Sequence, residues 1–346
     1  MNERKILDRK TPTGSRVSPR RTAHPPGGDA EPQNRGLLAA GILKPFVTRS
    51  DFHGWFAIAF DWAVILTCTA IGIKMDAIAS DPAWWGIYPA LAIIIASRMR
   101  GLENLVHEAS HYNLFRTREH NQSLFQLLFA TAVFRDVEDY RASHSRHHRY
   151  LGDDARDPDL RRWAGIGLDA LPDRWLWLVW LRPLTGFLTL EFLATTFVEF
   201  WATKRTAARR RALLFWGTVI VVVAVFNLWV PFLIYWGLPF FVILPILRFW
   251  AELSEHTGLD PQDPLGSSRA NLTLLDRWLL HPHNDGYHQV HHLSPGVPFY
   301  QLPHARRALE QRSDFLRLAP ATGTLGALYT LKPRASAPNN VRDRRL

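Results

Sequence analysis

From residue 55 onward, long apolar blocks alternate with charged blocks. The first, "WFAIAFDWAVILTCTAIGI" (Trp55–Ile73), approaches the ~20 apolar residues a bilayer crossing needs and holds one charge, Asp61. The second, "WWGIYPALAIIIAS" (Trp84–Ser97), is shorter. Its helix can run on toward Glu103, and its outer aromatic residues suit a membrane interface. Leu213–Val230 and Phe232–Trp250 read as a hairpin turning at Pro231. The pattern therefore predicts about four transmembrane helices in two hairpins, near 55–74, 84–104, 213–230 and 232–250. "SLFQLLFATAVF" (Ser123–Phe134) is too short to span and reads as a re-entrant or interfacial helix. Trp175–Trp201, interrupted by Arg182, Pro183 and Glu191, reads as a segment lying on the membrane surface, with a fifth span as the alternative. Asp61 reads as a satisfied polar residue near a helix end, with a functional role as the alternative.

Charge orients these spans. The links at 74–83 and at Pro231 carry one basic residue, Lys74, whereas 98–211 is dense in arginine, from Arg98 and Arg100 to Arg209, Arg210 and Arg211. Basic links stay cytoplasmic. Both termini are therefore expected on the cytoplasmic side, together with a helical cap formed by 105–211 and 251–325. The expected fold is an all-α integral membrane protein, of bacterial inner-membrane type, with a metal site in that cap. Residues 1–50 read as a disordered basic tail that lacks the apolar core of a secretory signal. Residues 51–325 form the membrane domain and 326–346 a second basic tail. A net charge of +10 would suggest nucleic acid on a soluble protein. With spans present, the positive-inside bias and anionic lipid account for it, and no nucleic-acid partner is expected. The one cysteine, Cys68, excludes an internal disulfide and a cysteine-based zinc or iron–sulfur centre.

The candidate chemistry lies in histidine. "HEASH" places His107 and His111 four apart, on one helical face just after the second span. "HSRHH" holds His144, His147 and His148, and "HQVHH" holds His288, His291 and His292. In both, the first histidine shares a helical face with the third and fourth residues after it. A lone histidine is most often a satisfied core or surface residue. Imidazoles crowded like these repel when protonated and need partners when neutral, and a bound metal supplies the compensation. Imidazole suits zinc, copper, iron and nickel alike, but eight histidines exceed the needs of one tetrahedral zinc and fit two metals.

The three motifs, their order and their placement after the second and fourth spans resemble the membrane-bound fatty acid desaturase and hydroxylase superfamily. Its histidine boxes read H-x(3–4)-H, H-x(2–3)-H-H and H-x(2–3)-H-H. The resemblance covers roughly residues 50–320. It implies two non-haem irons, dioxygen as co-substrate, and hydrogen abstraction from an unactivated C–H bond. It also implies a ninth ligand, His256, since "EHTGL" is similar to an EH-x-G-L motif of related alkane hydroxylases. Asn284, four before His288, becomes a candidate contributor through water. Glu108, Glu252, Glu255, Asp157, Asp159 and Asp285 lie near the boxes and are candidates to orient the rings, each with a plain solvated charge as the alternative. His283 is expected to hydrogen-bond nearby and His281 only to pack, while His24, His53, His120 and His304 fall outside any box. "HPPGG" at His24 is similar to the haem-binding motif of cytochrome b5 domains, but its spacing is wrong and no second ligand follows.

The expected function is an O2-dependent desaturase of an acyl or acyl-like substrate in lipid metabolism. The alternatives are desaturation of a small metabolite, as in dihydrorhizobitoxine desaturase, and hydroxylation of an alkyl or carotenoid substrate. Electrons would come from a separate donor such as ferredoxin, for which the arginine-rich cap offers complementary charge. That same charge equally serves topology and lipid headgroups. A metal-binding membrane transporter is the rival of another class. It would place ligands within the spans, whereas these clusters lie outside them.

Overall fold

The computed structural model describes residues 41–78, 83–153, 155–160, 181–202, 206–261, 263, 265–312, 315 and 323–329. Most of the two tails (1–40 and 330–346), and the first part of the expected surface segment, lie outside the described residues. All regular structure among the described residues is helical.

Among the described residues, two helices are long and apolar enough to cross a membrane. One is the body of α1 (Asp51–Ile78), and the other is the continuous helical segment α6 (Trp229–His256). Between them lie α2 (Ala83–Ser110), α3 (Val137–Tyr150), α4 (Phe187–Ala202) and α5 (Thr206–Val225). The short α7 (His288–Leu293), α8 (Leu302–Leu309) and α9 (Gly323–Tyr329) follow. α1, α2 and α6 share one hydrophobic core through residues such as Ile65, Met99, Leu102, Leu247 and Ala251. Outward, Phe52, Leu66, Leu214 and Val225 are exposed. An apolar surface of that kind suits lipid rather than water.

The reversal between α5 and α6 lies at Phe226–Leu228 rather than at Pro231. Asn227 takes the left-handed φ of +52° that asparagine tolerates. Pro231 instead falls in the first turn of α6, where a missing N–H leaves nothing unsatisfied. Farther along, Pro239 and Pro245 would clash with the carbonyl four residues back. The helix widens into π-type turns at Leu233–Gly237 and Pro239–Ile243 and so continues without breaking. The expected interfacial helix over Ser123–Phe134 is a series of short turns instead. They break at Phe129 and end at left-handed Phe134, and they bury Phe125, Ala130 and Val133 in the main core. α4 is amphipathic as expected, with Leu188 and Phe192 inward and Leu190 and Val198 outward.

Polar contacts fasten the histidine-bearing segments to α2. Arg141 of α3 donates to the terminal carbonyls of Ala109 and Ser110, capping α2 with a cation where the helix dipole favours one. The loop around α7 is laid along α2: Asn104 donates to Pro282 O, Asn113 to Pro295 O, and the Phe299 amide to Glu108. Asp61 of α1 is fully buried and holds both Arg98 (3.4 Å) and His283 (2.7 Å). It reaches them only because position 101 is glycine, since a Cβ there would meet its carboxylate at 2.5 Å. The satisfied-polar reading of Asp61 is thus the one the contacts favour.

Candidate metal centre

α3 forms because Asp136 caps it, accepting the amides of Glu138 and Asp139, with acidic residues in the first turn and His147, His148 and Arg149 in the last. Its helical register sends His144 and His148 one way and His147 another. The nine histidines separate into two groups. His107, His111, His144, His148 and His291 form the first; His147, His256, His288 and His292 form the second. Within each group the ring nitrogens lie within 4.8 Å of one another. α7 contributes His291 to the first group and His288 and His292 to the second, so α3 and α7 each feed both. The groups adjoin, with the rings of His148 and His292 stacked at 4.3 Å.

In each group four Nε2 atoms make a chain. In the first, His107, His291, His148 and His144 follow one another at 2.9 Å per step. In the second, His147, His256, His288 and His292 are spaced 3.2, 2.9 and 3.0 Å. Each Nε2 carries at most one hydrogen, so three contacts among four such atoms force an interior N–H to be shared. His111 Nε2 in the first group is buried with no hydrogen-bond partner. Burial, reinforced by the neighbouring imidazoles, holds His111, His144, His148, His288, His291 and His292 well below the usual histidine range. Those six rings are held neutral, and the Nε2 atoms of each group converge. Nitrogens bound at about 2.1 Å to one first-row ion, roughly at right angles, are themselves about 3 Å apart. The donor sets fit two such ions.

The outer nitrogens are held in place. His147 Nδ1 donates to Asp157 (3.0 Å) and lies 3.3 Å from Asp159; Asp157 is itself fixed by the amides of Gly152 and Asp159. Burial opposes protonation of His147, but this pairing outweighs it and raises the ring above its ordinary value. His256 Nδ1 donates to Ser267 O at 2.9 Å. Asp285 lies 3.5 Å from His107 Nδ1, 3.4 Å from His281 Nδ1 and 3.3 Å from Arg100. Against burial, those bonds and the Arg100 charge hold Asp285 well below the carboxylate range. Orientation from the far nitrogen is how proteins aim a ligating imidazole.

Several expectations change here. Asn284 takes a left-handed φ of +60° and donates to Phe299 O, so it stands outside both groups. His281 is completely buried and paired to Asp285 and Thr324, more than a packing residue. Glu108 serves the Phe299 amide rather than a ring. Glu255 lies 3.6 Å from His288 Nε2, and Glu252 lies 3.8 Å from Arg248 Nε. His53 and His304 are exposed, and neither they nor His120 enter the two groups. Sequence reading missed a buried charge network in which Arg100, Arg135 and Arg248 surround Glu103. Its signal was present: Arg100, Glu103, Asn104 and His107 share one face of α2. A cavity of about 970 Å³ opens on this network and reaches His107, His144, His147, His256 and His288.

A family model described as "Fatty acid desaturase" matches residues 82–320, which hold all nine histidines. The chain belongs to the fatty acid desaturase family. It is accordingly an oxidoreductase and a membrane protein. Among individual relatives of this desaturase, dihydrorhizobitoxine desaturase of Bradyrhizobium elkanii is 28% identical over 287 residues, 79% of each chain. A fatty acid desaturase of Bacillus subtilis is 26% identical over 243 residues, 62% of this chain and 65% of that one. The sn-1 oleoyl-lipid 12-desaturase of Picosynechococcus is 23% identical over 280 residues, 72% and 76% of the two chains.

Proposed function

We propose that this desaturase is a di-iron, O2-dependent enzyme in which His107, His111, His144, His148 and His291 hold one iron and His147, His256, His288 and His292 the other. The observation that carries the reading is the pair of Nε2 chains, each packed inside the fold and opening on one cavity. Bound iron supplies dioxygen activation and hydrogen removal from an unactivated C–H bond. The balance is a –CH2–CH2– unit, O2, two protons and two electrons giving –CH=CH– and two waters. The protein's own part is to fix the rings through Asp157, Asp159, Asp285 and Ser267 O, so that the opposite nitrogens face a shared point. The electrons come from a separate one-electron donor of the ferredoxin class, which the basic cap suits electrostatically.

The topology we propose has four spans, α1, α2, α5 and the apolar part of α6. The link between α1 and α2 and the reversal at 226–228 face away from the cytoplasm, and both termini face it. The lengths permit this: 28 residues in α2 and 20 in α5 give about 42 and 30 Å at 1.5 Å per residue. Both clusters then sit at the cytoplasmic ends of α2 and α6, in a cap made of 105–211 and 251–325, within a membrane domain over 51–325.

The test is expression of the full chain with a ferredoxin and its reductase, beside His147→Ala and His291→Ala. The expected result is a product two hydrogens lighter than its precursor that disappears in both variants. A product gaining one oxygen would reassign the chain to hydroxylation, and an unchanged profile in the variants would remove the catalytic assignment.

A further inference from the structure

A cavity meant for a long acyl chain is walled by apolar side chains, because each buried methylene contributes about 0.8 kcal/mol and charged walls would lose their water without compensation. The cavity beside the histidines combines apolar side chains with an unusual number of charged ones. Its lining holds four arginines and seven carboxylates. Arg100, Arg135 and Arg248 cluster around Glu103 at 3.8, 3.0 and 3.1 Å. Arg100 is more than nine-tenths buried, lines the cavity, and has an Nε with no hydrogen-bond partner. Acidic side chains, Asp139, Glu191 and Glu252 among them, share the same wall. Apolar side chains, Phe134, Leu188 and Phe192 among them, line the rest of it. The volume, about 970 Å³, is that of a small-molecule site.

We propose that the substrate is a small zwitterion of the amino-acid class. Its carboxylate is received by the guanidinium cluster around Arg100, its ammonium by the acidic side chains, and its unactivated CH2–CH2 unit lies against the histidines. Planar guanidinium groups match a carboxylate in shape as well as charge. The charged groups favour a zwitterion over a lipid, since an acyl chain would cover them and add no partner to the Arg100 Nε. This inference rests on the desaturase reading of the two clusters.

The test is calorimetric titration of the detergent-purified, iron-loaded full chain with four probes: L-norleucine, hexanoate, hexylamine and dipalmitoyl phosphatidylcholine. Norleucine is expected to bind at least about tenfold tighter than either singly charged homologue, as charge-assisted hydrogen bonds allow. Arg135→Gln should abolish its advantage over hexylamine, and Glu191→Gln its advantage over hexanoate, with iron content unchanged and the chain still folded at the titration temperature. Equal or tighter binding of hexanoate, hexylamine or the phospholipid overturns the zwitterion and leaves the desaturase reading standing. So does a loss of iron or stability that accounts for the variants' effects. Norleucine binding with no dioxygen uptake when reduced ferredoxin supplies electrons contradicts the desaturase reading itself, and the inference falls with it.

Discussion

The two histidine groups are built from the same helices yet differ in what surrounds them. The first draws five rings from α2, α3 and α7 and has one carboxylate, Asp285, on its outer nitrogens. That carboxylate is shared with Arg100 and His281. The second draws four rings from α3, α6 and α7 and is bordered by Asp157, Asp159 and Glu255, with the Ser267 carbonyl on His256. More rings with less negative charge face fewer rings with more. Ligand number and field are thus traded between neighbouring sites, and the second offers a cation the stronger electrostatic hold.

Breaking either group should have the largest consequence. Losing an outer partner of a metal ligand costs roughly 10–100-fold, so His107→Ala and His292→Ala should each lower the turnover rate by more than about 100-fold. A single-turnover assay with reduced ferredoxin measures it. Next come the outer carboxylates, which sharpen the contrast. Asp157→Asn should weaken metal binding roughly 10–100-fold at the second group alone, read by competition with a chelator. Asp285→Asn should act on the first group and also destabilise the fold by roughly 3–5 kcal/mol, because it removes a partner of buried Arg100. Denaturant unfolding separates the two variants.

Acid should follow in size. Seven rings, His256 among them, have folded pKa values below the unfolded value near 6.5. As pH drops below about 6.5 the unfolded chain binds protons that these native rings refuse, so their contribution is full above about 6.5 and is lost progressively as pH falls toward the depressed folded values. His147 runs the other way: its contribution is full below about 6.5 and fades as pH rises through its raised folded value. The net expectation is metal loss and a lower melting temperature between pH 6.5 and 5, followed by scanning calorimetry with metal analysis. The smallest effect belongs to His304→Ala. This exposed ring lies outside both groups and should change stability by less than about 0.5 kcal/mol and metal content not at all.

The histidine motifs were legible because their information is local: spacings of three and four residues on a helix fix which rings share a face, whatever the rest of the chain does. The expected nine are the nine that converge. The charge pairs that support them were not legible. Arg100 meets Asp285 across 185 positions and His283 meets Asp61 across 222, and nothing in local sequence names such partners. The hairpin turn was misplaced at Pro231 because proline signals a break equally well as a first-turn residue, and Asn227 carried the actual reversal. Asn284 shared a helical face with His288 only on the assumption that the helix begins early. It begins at His288, so Asn284 points elsewhere.

The central claim is that nine imidazoles make two separate iron sites, and iron stoichiometry tests it most directly. The purified full chain should bind two irons, and His256→Ala and His291→Ala should each retain one, with X-ray absorption reporting nitrogen coordination at the survivor. One iron in the parent chain, or two retained in both variants, would contradict the account.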